Sequence, residues 1–458
     1  MVGASGARIS WMNRRWNTRR SASLAGALAL ASLPLSAQTD HDYVADVRFA
    51  IDEIEKQCGE LLRSKGIEWR KVTAPFLEEA RAVRDDGEHW VLLTRLLARL
   101  QDGHCEVQKL PGAGDLEWPA DPKGEKTGPG MFWCKIDGKI FVKTVWNEAE
   151  RVGLAPGMEV LEVNGQPAAK WLERRIQELS DTNSFSSPQH ALFYACAWGL
   201  SDYPGTKLAL VLKKPKGKKT ARELTYTRAT PAPWGAAFFP KDLKPTKQGD
   251  EDILFGLTEK KRGYIRLRRA PGDLPEQIDV ALAEIGSAKG LILDFRANGG
   301  GGFDHDALMG RFVPAGKSFS SGREFASAGP HPYGGPIIAI VDGNTRSAGE
   351  TAAGLFKDDG RGYVIGESPT AGMSSQKTTI ELPSKLFALY VSIGSNMGRY
   401  NGGKGLEGIG VIPHRIVEYD PADLDEKVDT LIKTAEALLA KFPQKDVRYD
   451  PRDHGWKP

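Results

Sequence analysis

The chain has 458 residues, a net charge of +3 and 40% apolar residues. This length sets an expectation of about three domains, and the apolar share suits ordinary globular cores. The near-balanced charge excludes a broad nucleic-acid footprint. The one basic run, Lys213-Lys214-Pro215-Lys216-Gly217-Lys218-Lys219, reads as a solvated hairpin turn.

Residues 1–37 read as a secretory signal. Arg14, Arg15, Arg19 and Arg20 form a positive region, Ala22 to Leu35 a short apolar run, and Ser36-Ala37-Gln38 a cleavage context after Ala37. The expectation is an exported protein, periplasmic or secreted. An apolar run of about 14 residues is short for a bilayer span. No later segment is apolar enough to cross, so no integral membrane segment is expected after cleavage. Cys58, Cys105, Cys134 and Cys196 are widely scattered and contain no CxxC pair, which argues against zinc. In an oxidising compartment one or two disulfides are open to them, with no pairing readable from the spacing.

From Asp40 to Asp102 the apolar residues recur at helical spacing: Ile51, Ile54, Cys58 and Leu61-Leu62, then Trp90, Leu93, Leu97 and Leu100. Residues 38–110 thus form an N-terminal helical domain. Gly103 is a natural helix stop, which leaves His104 just past a helix C-terminus. There it is either a satisfied surface group or a held general base. The dipole and a carboxylate partner would both raise its pKa. Pro111 to Lys126 reads as a linker. Residues 127–230 change to short strands at Phe132–Ile136, Ile140–Val145 and Val160–Val163, a largely helical stretch from Leu172 to Leu200, and closing strands near Leu208–Leu212 and Leu224–Thr227. Pro231 to Asp252 reads as a second linker, and residues 443–458 as a tail.

The last domain, 253–442, alternates strand and helix, which means an α/β core. Gly263–Leu267 is a strand, Leu274–Ile285 an amphipathic helix, and Gly290–Arg296 a buried strand ending in Asn298-Gly299-Gly300-Gly301-Gly302. These glycines either cradle a phosphate or allow close approach to a substrate, and no Lys-Ser/Thr follows as a P-loop requires. Ile337–Val341 is another buried strand. It leads through Asp342-Gly343-Asn344 to Ser347, Ala348-Gly349 and a helix through Phe356. A serine at a strand end, beside unpaired helix amides, either caps the helix or serves as a nucleophile with oxyanion donors at hand.

Two resemblances join these pieces. Residues 127–230, with Val152 to Met158 and Asn164-Gly165, closely resemble a PDZ domain of the circularly permuted, protease-associated kind. Gly128-Pro129-Gly130-Met131 falls at its carboxylate-binding loop, whose amides would receive a peptide terminus while the peptide adds as a strand. Asp294-Phe295-Arg296-Ala297-Asn298-Gly299-Gly300-Gly301, Ser347-Ala348-Gly349-Glu350, Gly360 to Gly372 and Gly408 to Pro413 resemble the C-terminal-processing (tail-specific) serine protease family. The resemblance implies a helical N-terminal segment, an inserted PDZ-like β-rich domain and an α/β catalytic core related to Clp protease and crotonase. The processing branch of that family places a lysine base about 25 residues after the serine. Here that point falls on Gly372 or Met373, neither able to accept a proton, and Lys377 lies beyond it. The branch similar to the tricorn core and the retinoid-binding repeats uses a histidine and a glutamate instead, for which His104 and Glu407 are the candidates. The implied machinery is Ser347 as nucleophile, His104 as base, Glu407 as its orienting carboxylate, and the amides of Ala348 and of Gly299 or Gly300 as oxyanion donors. Neither metal nor organic cofactor is implied, and the partners are protein or peptide substrates. His305, just after the glycine run, is the rival base. His89, His190, His331 and His414 have no supporting motif, and His414 stands where the family usually has an acid. A catalytically silent peptide- or ligand-binding protein on the same fold is the alternative.

Overall fold

Helical spacing at the start of the chain becomes four helices: α1 (Tyr43–Ser64), α2 (Trp69–Thr73), α3 (Phe76–Arg81) and α4 (Asp86–Ala98). Asp42 and Asp85 cap α1 and α4 by accepting from the Ala45 and Glu88 amides. The computed structural model describes residues 41–227, 235, 237–320, 324–396 and 399–441. The expected signal segment and tail lie outside these residues. α4 ends well before Gly103, and the left-handed residue of the turn is Gln101 (φ 50°). Gly103 is required for a different reason, met at the site below. The strand β1 (Glu106–Lys109) follows the turn.

The β-rich region contains β2 (Met131–Ile136), β3 (Lys139–Val145), α5 (Asn147–Arg151), β4 (Glu159–Val163), β5 (Gln166–Pro167), α6 (Ala168–Leu179), α7 (Pro188–Cys196), β6 (Lys207–Lys213) and β7 (Lys219–Thr225). Its strands run in the order β2-β3-β4-β6-β7, with β5 beside β4, and β2 at one edge. The basic run forms the β6–β7 hairpin turn, as its charge and glycine foretell. Inward residues such as Met131, Val142, Val160, Leu210 and Leu212 close over Leu172 of α6.

The main sheet is wider than its sequence suggests. β8 (Lys244–Lys247) and β9 (Asp250–Leu257) are strands, which corrects the reading of 231–252 as linker alone. Then come β10 (Gly263–Leu267), α8 (Leu274–Ile285), β11 (Leu291–Asp294), α9 (His305–Gly310), β12 (Ser318–Ser320), β13 (Glu324–Ala326), β14 (Ile337–Val341), α10 (Ala348–Asp358), β15 (Tyr363–Gly366), β16 (Ser375–Glu381), β17 (Phe387–Ser395), β18 (Arg415–Ile416), α11 (Pro421–Asp425) and α12 (Thr430–Leu439). The sheet order is β18-β15-β14-β11-β10-β9-β8. Neighbours from β18 to β10 are parallel, while β9 and β8 are antiparallel.

Parallel strands buried on both faces need continuous apolar runs, which β11 and β14 have. Ile265, Leu293, Ala339 and Val364 face α8, α9 and α10. Tyr264, Ile292, Ile338, Ile340 and Ile365 face α12 and also Cys134 and Ile136 of β2. A third sheet, β1-β17-β16, pairs Val107 with Leu389 and packs on α1 and α4. The β16–β17 hairpin thus leaves the α/β core and completes the N-terminal layer. No helix among the described residues is long and apolar enough to cross a membrane.

Candidate active site

β10, β11 and β14 all end at one edge of the sheet, the usual place for a ligand in an open α/β fold. After β14 the Asp342 carboxylate accepts from the amides of Ala297, Asn344 and Thr345, so it is spent on shaping two turns. The chain then reaches Ser347 at φ 55°, ψ −129°, a costly conformation for a residue with a side chain. The Ser347 amide donates to the Met373 carbonyl at 2.9 Å. Its hydroxyl caps nothing in α10, so the capping role open to it from sequence is not the one it plays.

The turn after β11 is built on buried charge. Arg296 is fully buried between Asp294 (2.6 Å) and Asp429 (2.9 Å), and also donates to the Tyr419 hydroxyl at 2.8 Å. Removing one partner of such a set leaves an uncompensated buried charge. The aspartate and arginine of this motif are therefore scaffold. Asn298 is the clamp: its Oδ1 accepts from the Gly300 amide at 2.8 Å, and a Cβ on Gly349 would lie 2.1 Å from that oxygen. Gly300 sits at φ +81°, where a Cβ would be 2.6 Å from Ser347 Cβ and 3.1 Å from Oγ. These glycines are needed for close approach, and nothing here resembles a phosphate cradle.

The same contacts correct the oxyanion expectation in part. The Gly299 amide donates to the Arg268 carbonyl at 3.0 Å and the Gly300 amide to Asn298, so neither is open. The amides of Ala348 and Gly301 make no hydrogen bond to any described residue.

His104 lies in the turn that leads into β1. Asp102 Oδ1 accepts from the His104 amide at 3.0 Å, and Oδ2 accepts from the Ser392 amide at 3.0 Å and the Cys105 thiol at 2.9 Å. That carboxylate holds the turn. Gly103 lies against Met373: a Cβ there would be 2.8 Å from Sδ. One ligating atom each of Asp102, His104 and Glu407 lie within 4.8 Å of one another. Yet His104 Nδ1 and Glu407 Oε2 are buried without a hydrogen bond. Glu407 Oε1 is instead paired with Lys65 at 2.8 Å, and Lys65 also donates to the Gln101 carbonyl at 2.6 Å. The Lys65 ammonium thus supplies the positive charge beside Glu407.

Electrostatics reverse one expectation. His104 is pushed down to about 3, first by burial and then by the Lys377 charge, which together outweigh Asp102. The imidazole is therefore neutral over the physiological range. Glu407 is pushed up to about 7, by burial and then by Asp102. Lys377 donates to the Ser375 carbonyl at 2.9 Å and is pushed below its usual range by burial.

The position of the absent lysine is filled by backbone. Gly372 (φ +69°) approaches the Ile409 amide so closely that a Cβ would be 2.9 Å from it. Glu350, quoted in the serine motif without a role, holds this loop. Its carboxylate accepts from the Gly372 amide at 2.7 Å, the Met373 amide at 2.9 Å and the Thr370 hydroxyl. Burial pushes it up to about 8. Ser187, the N-cap of α7, and Gln189 within it hold the same loop through the Ala371 and Thr370 carbonyls, and Gln189 also reaches the Ile409 carbonyl at 3.0 Å. Sequence offered no signal for Lys65, Ser187 or Gln189, because their partners lie far along the chain.

The other histidines have local explanations. His305 is the first residue of α9, 4.6 Å from the Phe303 ring, as a helix-start residue would be. His89 pairs with Asp46 in the core. His414 Nδ1 accepts from the Val364 amide at 2.9 Å and its ring stacks on Tyr363, which accounts for a histidine there. His331 is exposed, and His190 is buried in α7 beside Gly103. In the β-rich domain Gly130 (φ +80°) accepts from the Trp146 amide at 2.7 Å, closing the loop on the end of β3. Gly128 faces open space, while the Met131 side chain is fully buried.

The model of peptidase family S41 matches residues 261–417, a span that holds both Ser347 and Glu407. Residues 261–417 thus form a peptidase family S41 domain. Serine-type peptidase is therefore its class. The chain is 24% identical over 333 residues to the carboxyl-terminal-processing protease of Picosynechococcus sp. (strain ATCC 27264 / PCC 7002 / PR-6), covering 69% of this chain and 70% of that one. It is 31% identical over 137 residues to the chloroplastic C-terminal processing peptidase of Tetradesmus obliquus, 28% and 29% of the two chains. A match to Protein//CPj1016/CpB1054 of Chlamydia pneumoniae is 29% identical and spans 26% of this chain but only 20% of that relative. Among solved structures, mature CPAF superimposes with a TM-score of 0.62 at 12% identity, over 89% of this chain and 99% of that one, a likeness of fold. His104 lies outside the residues that the family model matches.

Proposed function

We propose that this S41 protein is an exported serine endopeptidase that cleaves protein or peptide substrates through an acyl-enzyme. Ser347 attacks the scissile carbonyl, and the Ala348 amide at the start of α10 receives the oxyanion. His104 takes the serine proton and returns it to the leaving amine, while Glu407 orients the ring. The observation that supports this reading most is Met373. Its carbonyl accepts the Ser347 amide at 2.9 Å while its sulfur lies against Gly103, next to His104. Side chains far apart in sequence thus share one loop. His104 Nδ1 and Glu407 Oε2 are the two unsatisfied atoms that a closed triad would join. The β-rich domain engages substrate as a PDZ domain does, with a peptide adding along the edge strand β2 beside the loop 128–131. Residues 1–37 direct export.

A second reading, a catalytically silent binding protein, draws on the pairing of Glu407 with Lys65 rather than His104. The two are separated by a casein digest and labelling with a fluorophosphonate probe, comparing wild type with Ser347→Ala. Cleavage and labelling that vanish in the variant support the peptidase. Binding of peptide without either would establish the silent protein.

A further inference from the structure

Lys65 ends α1 as its C-cap, with its amide on the Leu61 carbonyl at 3.0 Å, so its stem leaves the helix from a fixed backbone. The stem turns inward. Its side chain is only 8% exposed, and the Glu407 side chain that it meets is wholly buried. Gly408 makes room for it, since a Cβ there would stand 3.4 Å from Lys65 Cε. The ammonium donates to Glu407 Oε1 at 2.8 Å and to the Gln101 carbonyl at 2.6 Å. One cation thus ties the Glu407 loop to the turn that leads to His104.

This pairing takes one carboxylate oxygen and leaves the other. Glu407 Oε2 and His104 Nδ1 are both buried without a hydrogen bond. One ring nitrogen of His104 lies within 4.8 Å of a Glu407 oxygen. A carboxylate held at one oxygen still has the other for a second donor. The surrounding charges favour the same arrangement. Asp102 and Glu350 act on Glu407 with like charge, Lys65 and Lys377 with opposite charge, and the His104 ring is neutral. Of the two cations, Lys65 is the one hydrogen-bonded to it. A buried carboxylate beside another takes up a proton unless a cation offsets the pair. Burial and Asp102 push Glu407 up to about 7, and Lys65 pulls the other way.

We propose that Lys65 is a positioning residue of the catalytic set: it grips Glu407 by one oxygen, fixed and ionised, so that the other receives the Nδ1 proton of His104. The inference rests on the Ser-His-Glu reading of the site and adds a fourth member to it. It also accounts for the Lys65 contact without silencing the protein, because that contact occupies no atom the triad needs.

The test compares full-length wild type, Lys65→Met, Lys65→Ala and Ser347→Ala on one fluorogenic peptide across a range of pH. Lys65→Met keeps the apolar stem and removes the charge. Its kcat should fall at least tenfold at pH 7, with KM nearly unchanged. The climb of kcat/KM should move up from about pH 7 by about one unit or more, because Glu407 without its cation holds its proton more tightly. In Lys65→Ala, added n-propylammonium should raise the rate at least tenfold and n-propanol should not. The amine replaces the missing cation, while the alcohol only fills its space. A circular-dichroism melt confirms that the variants are folded. A pH profile that stays in place overturns the inference. So does a rate that rises in Lys65→Met, which would make Lys65 a lock on Glu407, and so does rescue by propanol equal to that by the amine. Where neither additive rescues, the profile decides. If wild type cleaves no faster than Ser347→Ala, the peptidase reading falls instead. The hold of Lys65 is then read from the Glu407 carboxyl 13C shift against pH in Ser347→Ala, with and without Lys65→Met. A transition that does not move overturns the inference there too.

Discussion

Ser347 combines a strained backbone, a hydroxyl that caps nothing, and a free neighbouring amide at Ala348. Replacing it with Ala should lower peptide cleavage by at least about a thousandfold while shifting stability by about 1 kcal/mol or less. Paired kinetics and urea unfolding check both. The pH behaviour follows from two groups moved in opposite directions. With His104 pushed down to about 3, its ring is neutral throughout the working range and supplies no ionisation near neutrality. Glu407, pushed up to about 7, loses its proton as pH rises through that value, and only its charged form orients an imidazolium. The expected kcat/KM therefore climbs through about pH 7. Glu407→Gln should be slower by orders of magnitude and should lack the climb. An NMR titration of the His104 ring showing a transition between pH 5 and 9 would transfer that limb to the histidine.

At the level of elements, the site is a meeting of three turns. The turn after β11 is clamped by Asn298, the turn after β14 by Asp342, and the loop 370–373 by Glu350. Gly300 joins the first two, because only a residue without a Cβ fits against Ser347 at φ +81°. Gly300→Ala should cost about 1–3 kcal/mol from strain and crowding, and should reduce cleavage far more than its stability loss explains. A variant with unchanged kcat/KM would show that the turn has room that its geometry denies. Much of this level was legible beforehand. β10, α8 and β14 match their expected limits, because each has a clear apolar period. The strands β8 and β9 were missed because Pro, Lys, Gly and Asp dominate 241–252, and an edge position tolerates such residues. The amides of Gly299 and Gly300, expected to be open, are taken by Arg268 and Asn298, since a glycine run announces approach but not where its donors point.

Across the whole molecule, the N-terminal helices and the β16–β17 hairpin share one core. Leu389 is fully buried in it and lies opposite Val107 of β1, the strand that follows the His104 turn. Leu389→Ala should cost about 2–5 kcal/mol and also lower kcat at temperatures where the protein stays folded, because β1 loses its support. Leu210→Ala, in the core of the β-rich domain, should cost a similar amount in denaturant unfolding. It should leave kcat on a short fluorogenic peptide within a few-fold of wild type. Equal losses of kcat in both variants would mean that the coupling is general rather than carried by β1. Cys134 and Ile136 of β2 also enter the core beneath the main sheet, so the β-rich region is packed against the α/β core rather than tethered to it.

Local chemistry settled most of what can be read along one strand or one turn. Continuous β-branched runs made β11 and β14 interior strands, and the motifs around Asp294 and Ser347 marked two strand ends. The absence of a proton acceptor at Gly372 and Met373 was visible in the residues alone. Packing decided the rest. It brought His104 beside Asp102 and Glu407, on a turn leading into β1, which pairs with β17 across more than 280 positions of chain. It assigned Glu407 a lysine neighbour and set burial above dipole and carboxylate in fixing the state of His104. Desolvation and long-range charge depend on what surrounds a group in three dimensions, and no spacing along the chain encodes that.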